Sequence, residues 1–305
     1  MPDSEPGQAP AYSLNEGQSE EKPEITFEKH PSGYMIIKTE EPIWSVHEYL
    51  RVLESVFAEL GEREFWFRGV SRQETPEVLR PKLFRTTSKI QKCFERENAL
   101  LSAFAREGVP FLPATINPED GFWQLYHLMQ HYGVPTRLLD WSESSLVGLY
   151  FALRQPPKAT QPKVWILDPY LLQEHSIGYK FVYDTFHLAQ MGEKEALNRY
   201  KVIQEWDNVK RKISLAEFPE HPVSIFPPHV DRRITTQRSV FTVHGSIKDG
   251  LLELARSAHT PFLYQLPLDS KWASYMRTQL WQAGITEATL FPDLEGLARH
   301  ISQSY

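Results

Sequence analysis

Apolar residues recur every three to four positions along parts of the chain and alternate with polar ones along others. Val46, Tyr49, Leu53, Phe57 and Leu60 share one helical face, with Ser45 and Glu48 as a capping box ahead of them and Gly61 as the stop. Helices are predicted over 88–107, 121–132, 142–154 and 270–283, the third stopped by Gln155-Pro156-Pro157 and the last by Gly284. Strands are predicted at 25–29 and 34–39 about a His-Pro-Ser-Gly turn. Others follow at 64–67, 137–140, 163–168, 223–226, 239–244, 262–266 and 288–291, and Pro292 opens a closing helix. Residues 170–220 read as an irregular helical insert, and 108–118 as a proline-rich connection. Residues 1–23 offer few large apolar groups among Pro, Glu, Ser, Gly and Gln, so a disordered tail is expected. Helices interrupt strands irregularly and no repeat is present, which points to an α+β fold rather than a doubly wound sheet.

Composition narrows the class. With 305 residues, 41% of them hydrophobic and 24% charged, the chain can bury its own core. Cys93 is the only cysteine, so no intrachain disulfide forms, and a reducing cytoplasm is the expected compartment. No apolar run approaches the roughly 18 residues that cross a bilayer, and no basic-then-apolar leader opens the chain, so neither a membrane span nor a signal peptide is expected. A net charge of −6 argues against a general nucleic-acid coat. The sign reverses locally: Arg68, Arg72, Arg80, Lys82, Arg85, Lys89 and Lys92 face only Glu74 and Glu77. That segment is either a solvated basic loop or an anion cradle suited to phosphates.

Chemistry concentrates in Gln130-His131-Tyr132-Gly133-Val134-Pro135-Thr136-Arg137-Leu138-Leu139-Asp140-Trp141, where a helix gives way to a strand. Polar groups this dense in an apolar neighbourhood must satisfy one another or bind something. On the preceding helix Gln124, His127, Gln130 and His131 lie within an arc of about 120°, a stripe facing either a pocket or a polar network. His127 and His131 have the spacing of a zinc helix, but Leu128 stands where the glutamate would be and no Cys cluster adds ligands. A metal-dependent hydrolase using His127, His131 and Asp140 stays as an alternative. Arg137 and Asp140, three apart on a strand, point to opposite faces and should not pair. Asp140 with Glu143, or Ser142, would cap the next helix, and capping is the preferred account of Asp140.

Phe67-Arg68-Gly69, the stretch Gln130 to Trp141 and Tyr150-Phe151-Ala152 resemble the FRG domain, named for its Phe-Arg-Gly motif. Thr236-Gln237-Arg238-Ser239-Val240-Phe241, Gly284-Ile285 and Phe291-Pro292-Asp293-Leu294 extend the resemblance over roughly 40–302, with Arg238-Ser239 departing from an expected Gln-Gly pair. The resemblance implies one domain over 24–305 and a bacterial source. A second resemblance is to mono-ADP-ribosyltransferases of the Arg-Ser-Glu type: Phe67-Arg68-Gly69, then Ser142-Glu143-Ser144 ahead of a helix, then Glu287. Ile285 departs from the acidic or Gln residue of that pattern, which weakens transfer to protein arginine in particular.

The second resemblance implies a small split or mixed β-sheet core and NAD as substrate. ADP-ribose would pass to a macromolecular acceptor, protein or nucleic acid, or to water, in a toxin or phage-defence setting. It places Glu287, Ser142 and His131 in catalysis, and Arg68, Gly69, Arg72, Gln130, Tyr132, Arg137 and Trp141 around NAD, with no metal. Tyr132, Trp141 or Tyr150 would stack on nicotinamide. Arg68, His131, Arg137 and Glu287 are then expected in one cleft. A non-catalytic module sensing a phosphorylated ligand is the other alternative.

Overall fold

A computed structural model describes residues 22–304 except 62, 72–75, 86–88, 113–115, 117–120, 155–160, 186–196, 202–205, 208–211, 214, 216–217 and 229–231. The first half contains β1 (Ile25–Lys29), β2 (Met35–Thr39), α1 (Val46–Leu60), β3 (Trp66–Val70), α2 (Ile90–Gly108), α3 (Phe122–His131), β4 (Leu138–Ser142) and α4 (Ser145–Leu153). Two 3-10 turns, Glu77–Leu79 and Lys82–Arg85, lie between β3 and α2. The second half contains β5 (Lys163–Leu167), α5 (Pro169–Ile177), β6 (Tyr183–Asp184), β7 (Trp206–Asp207), β8 (Lys212–Ile213) and β9 (Val223–Phe226). It closes with α6 (Arg232–Thr236), β10 (Ser239–Val243), α7 (Gly250–Ser257), β11 (Leu263–Pro267), α8 (Ala273–Gln282), α9 (Glu287–Leu290) and α10 (Leu294–Ser304). None of these helices is long and apolar enough to cross a membrane.

The fold is mixed α/β. Among the described residues nine strands form one open sheet in the order β1-β2-β11-β5-β3-β4-β10-β9-β6. Neighbours are antiparallel except β2 with β11 and β6 with β9. The middle of the sheet is its weakest seam. β3 pairs with β5 at five positions and β4 with β10 at five, but β3 and β4 meet at one, Phe67 opposite Ser142.

Strand alternation sorts the core onto two faces. Trp66, Val70, Leu139, Trp141, Trp165 and Leu263 pack on one face, beneath α7. The other face carries two separate clusters. Leu138, Phe241 and Ile225 pack with α2 and α3, while Phe67, Ile166 and Tyr264 pack with α1, α4 and α8. The boundary between those clusters falls on the β3–β4 seam.

Gly69 and Gly148 bring α4 against β3. A Cβ on Gly69 would lie 1.9 Å from the Gly148 carbonyl oxygen and 2.2 Å from Ala152 N, and one on Gly148 would lie 2.7 Å from Phe67 Cβ. The glycine of the Phe-Arg-Gly motif therefore serves helix-on-strand contact.

Caps follow the sequence for α1, where Ser45 Oγ accepts from Glu48 N and Gly61 leaves with φ 86°. They depart from it at α4, which Ser144 caps through Val147 N. Asp140 caps nothing, because β4 runs on past it to Ser142. The expected strand at 288–291 is instead the one-turn helix α9, since Thr286 and Thr289 form a reciprocal capping box. The 170–220 insert starts with helix α5 but continues as the short strands β6, β7 and β8. Residues 1–21 of the expected tail, and the stop at 155–157, lie outside the described residues.

Candidate functional site

The centre of a sheet covered on both faces is ordinarily apolar throughout. Along β4, Leu138, Leu139, Trp141 and Ser142 obey this and are buried, yet Asp140 between them is exposed. By alternation its side chain shares the face of Leu138, the one whose helical cover divides in two. Asp140 thus lies exposed on the face that carries the separate α3 and α4 clusters, on the strand next to the β3–β4 seam.

Two residues fix the carboxylate. Gln130, at the end of α3, donates from Nε2 to Asp140 Oδ2 at 2.9 Å. Thr136 Oγ1 donates to Gln130 Oε1 at 2.6 Å and accepts from Leu138 N at 3.1 Å. The hydroxyl's two bonds set the amide's orientation, and the amide sets the carboxylate. Pro135 fixes its own φ and holds Val134 extended, which ends α3 ahead of Thr136.

Arg68 spans the seam from β3. Its Nη1 donates to the Asp140 carbonyl at 2.7 Å and its Nε to Val78 O at 3.3 Å. Burial pulls its pKa down to about 10, opposed by Asp140 and assisted by Arg85. The same carboxylate is felt by Arg85 and by Arg233 of α6, both lowered first by burial. Three guanidiniums therefore lie in the field of one exposed carboxylate, a setting suited to anionic groups. The basic segment is largely stapled down. Arg80 grips Asp249 bidentately at 2.6 and 2.8 Å, Lys82 donates to Gly133 O at 2.6 Å, and Arg85 donates to Arg80 O at 3.0 Å.

The other expected site residues disperse. Arg137 is fully buried and spent. Its Nε meets Glu97 Oε2 at 2.7 Å, its Nη atoms reach His244 O and Tyr200 O at 2.5 Å each, and its guanidinium lies 4.9 Å from the Phe94 and Phe218 rings. Tyr126 hydroxyl donates to Glu97 and receives the Arg137 amide. Burial raises the Glu97 carboxyl pKa, with Arg137 pulling the other way. Trp141 is buried and donates to Thr242 Oγ1 at 3.2 Å, so it cannot stack on a ligand. Ser142 is buried too, donating to Gln237 O at 2.7 Å and accepting from Ser144 N at 3.0 Å. It ties the start of α4 to the end of α6.

Glu287 opens α9 rather than ending a strand, and only 2% of it is exposed. Tyr150 hydroxyl and Arg154 Nε bind its Oε2, while Arg154 Nη2 at 2.5 Å and Arg299 Nε at 2.6 Å bind its Oε1. Burial raises its pKa, but the hydrogen bonds from Tyr150, Arg154 and Arg299 outweigh that and the net direction is down. Arg154, Arg233 and Arg299 all lie over Phe291, at 4.7, 4.2 and 5.1 Å from its centroid.

Tyr132 is exposed at the helix end, its ring edge-on to His131 at 4.8 Å. His127 is sealed against Phe241 at 4.9 Å with neither ring nitrogen hydrogen-bonded, and burial drives its pKa down to about 3. The polar stripe of α3 thus splits: Gln130 binds Asp140, and His127 is sealed in the core. Arg72 lies outside the described residues. Among the described residues no three His, Cys, Asp or Glu side chains gather as a metal set.

Of the expected cleft, then, the structure brings Gln130 to the Asp140 carboxylate and Arg68 only to the Asp140 backbone carbonyl, because Arg68 leaves β3 on the Trp66–Val70 face, opposite that carboxylate, while Arg137 and Glu287 form clusters of their own. Arg85 was legible only as one member of the basic segment, and nothing in the sequence singled out Thr136 or Arg233. Two cavities lie elsewhere: one of about 330 Å³ beside Tyr34, Lys163 and Arg256, and one of about 270 Å³ beside Phe65, Glu143 and Arg238. Neither is bordered by Asp140.

The family model described as the FRG domain matches residues 63–161, which contain Phe67-Arg68-Gly69, the Gln130–Trp141 stretch and α4. No curated protein and no solved structure matches the chain.

Proposed function

We propose that this chain, which carries an FRG domain, binds NAD beside Asp140 and cleaves its nicotinamide–ribose bond, passing ADP-ribose to a macromolecule or to water. One observation carries the reading: an exposed carboxylate, Asp140, stands in the middle of an otherwise buried sheet with Arg68, Arg85 and Arg233 in its field. NAD presents a diphosphate and a cationic nicotinamide ring on one molecule, and the guanidiniums and carboxylate in one another's field are their charge complements. Guanidiniums match the phosphates in charge and in fork geometry. The seam at β3–β4 also supports an ADP-ribosyltransferase-like split sheet, with the aromatic-Arg-Gly strand as one lip and the strand leading into Ser142-Glu143-Ser144 as the other. A bacterial toxin or phage-defence effector in the cytoplasm is the setting inferred from the resemblance.

A binding-only sensor is the competing reading, favoured by cations already anchored to backbone carbonyls, such as Arg68 to Val78 and Asp140. Calorimetric titration with NAD alongside nicotinamide release, with and without cell lysate as acceptor, separates the two. The expected result is saturable binding with turnover, both weakened together in Arg68→Ala, because an Arg–phosphate contact acts in binding. Binding without turnover supports the sensor, and neither binding nor turnover ends the NAD reading.

A further inference from the structure

We propose that Asp140 is the catalytic carboxylate of this site, with Gln130 and Thr136 as its positioning residues. The inference rests on the NAD reading above and moves the acidic role away from Glu287.

The argument is one of availability. A carboxylate that stabilises charge developing on a ribose must present an oxygen to it. Both oxygens of Glu287 are taken by Tyr150, Arg154 and Arg299. Asp140 uses Oδ2 for Gln130, and among the described residues Oδ1 accepts no hydrogen bond. Its position is nevertheless set, because Gln130 is itself held by Thr136, whose hydroxyl proton and lone pair are both committed. A free oxygen on an immobilised carboxylate is the preorganised arrangement that electrostatic catalysis requires.

The step balances without any further reactant. The C1′–N1 bond of NAD breaks and its electron pair leaves with nicotinamide, whose ring becomes neutral. Positive charge appears on the ribose C1′ and ring oxygen, facing Asp140 Oδ1. Water, or the acceptor's nucleophile, adds to C1′ and its proton passes to Asp140 and then to solvent. The products are nicotinamide, ADP-ribose or its adduct, and one proton.

The test measures NAD affinity and nicotinamide release for wild type, Asp140→Asn, Asp140→Ser, Glu287→Gln, Thr136→Val and Thr136→Ser, with melting curves for each. Both Asp140 variants should keep NAD affinity within a few-fold and lose about two or more orders of magnitude in kcat, the scale of one electrostatic stabiliser. Thr136→Val should lower kcat with little change in KM, and Thr136→Ser should restore it. A merely structural Thr136 would not give that split. Turnover near wild type in both folded Asp140 variants overturns the proposal, as does loss confined to Glu287→Gln. Wild-type binding without turnover overturns it while leaving a binding site. Absence of binding overturns the NAD reading and this inference together.

Discussion

Arg137 carries its charge into the interior and is neutralised there by Glu97, with carbonyls and two aromatic faces completing its shell. Removing either partner leaves a buried ion alone, so Arg137→Ala or Glu97→Ala should cost roughly 3–5 kcal/mol by urea unfolding. A paired apolar replacement of both should cost far less. His127 makes a different residue-scale prediction. Its pKa is 6.5 when unperturbed and about 3 in the fold, burial being the cause. The unfolded chain therefore binds the extra proton between those values, and stability rises with pH there. It is complete above about pH 6.5 and falls as the pH drops toward 3, by at most about 1.4 kcal/mol per pH unit for this group. His244, lowered to about 3 by burial and then by Arg137 and Arg68, contributes with the same sign. His127→Phe, placed against Phe241, should flatten the slope and gain stability over wild type at pH 5. Unfolding curves at pH 5 and 7 check this, and an unchanged slope would show that His127 is not sealed from protons.

At the scale of elements, the contact of α4 with β3 is set by backbone rather than side chains. Gly69→Ala forces a methyl into the Gly148 carbonyl and Ala152 amide, neither of which can rotate away. The expected cost is about 1–3 kcal/mol or more, read as a lowered Tm. Gly108→Ala, whose nearest neighbour would be the flexible Leu112 at 3.6 Å, should change little. Most elements could be read from periodicity because their apolar spacing, caps and stops agree, as at α1 with Ser45 and Gly61. α9 could not. Ala-Thr-Leu-Phe has strand propensity, and four residues are too few to show a helical period, so the reciprocal Thr286–Thr289 cap decided it.

Across the whole molecule the sheet is continuous, but among the described residues its middle ladder is a single residue pair, with Arg68 bridging beside it and the Trp66–Trp141 cluster packed beneath. Arg68→Ala should therefore lower stability by about 1.5–3 kcal/mol, the scale of hydrogen bonds from a charged group, besides weakening NAD binding. Chemical denaturation of the variant beside Arg68→Lys checks the first effect. A variant as stable as wild type would mean that Arg68 does not brace the seam. The candidate site was legible as a place, the Gln130–Trp141 stretch with Arg68, but its division of labour was not. Asp140 looked like a cap and Arg137 like a ligand contact, yet α2, more than thirty residues earlier, supplies the glutamate that consumes Arg137.

The sequence by itself determined the classes of element, the two-faced strands, the Phe-Arg-Gly and Gln130–Trp141 motifs and the lack of any disulfide, because these depend on residue type and local spacing. Which polar groups are spent and which are available was decided only by tertiary structure. Among the described residues, strands distant in the chain meet at one pair, and beside it an aspartate is exposed in an otherwise buried strand with Gln130 on one of its oxygens. Burial and partnership are properties of the packed whole, and no local pattern encodes them.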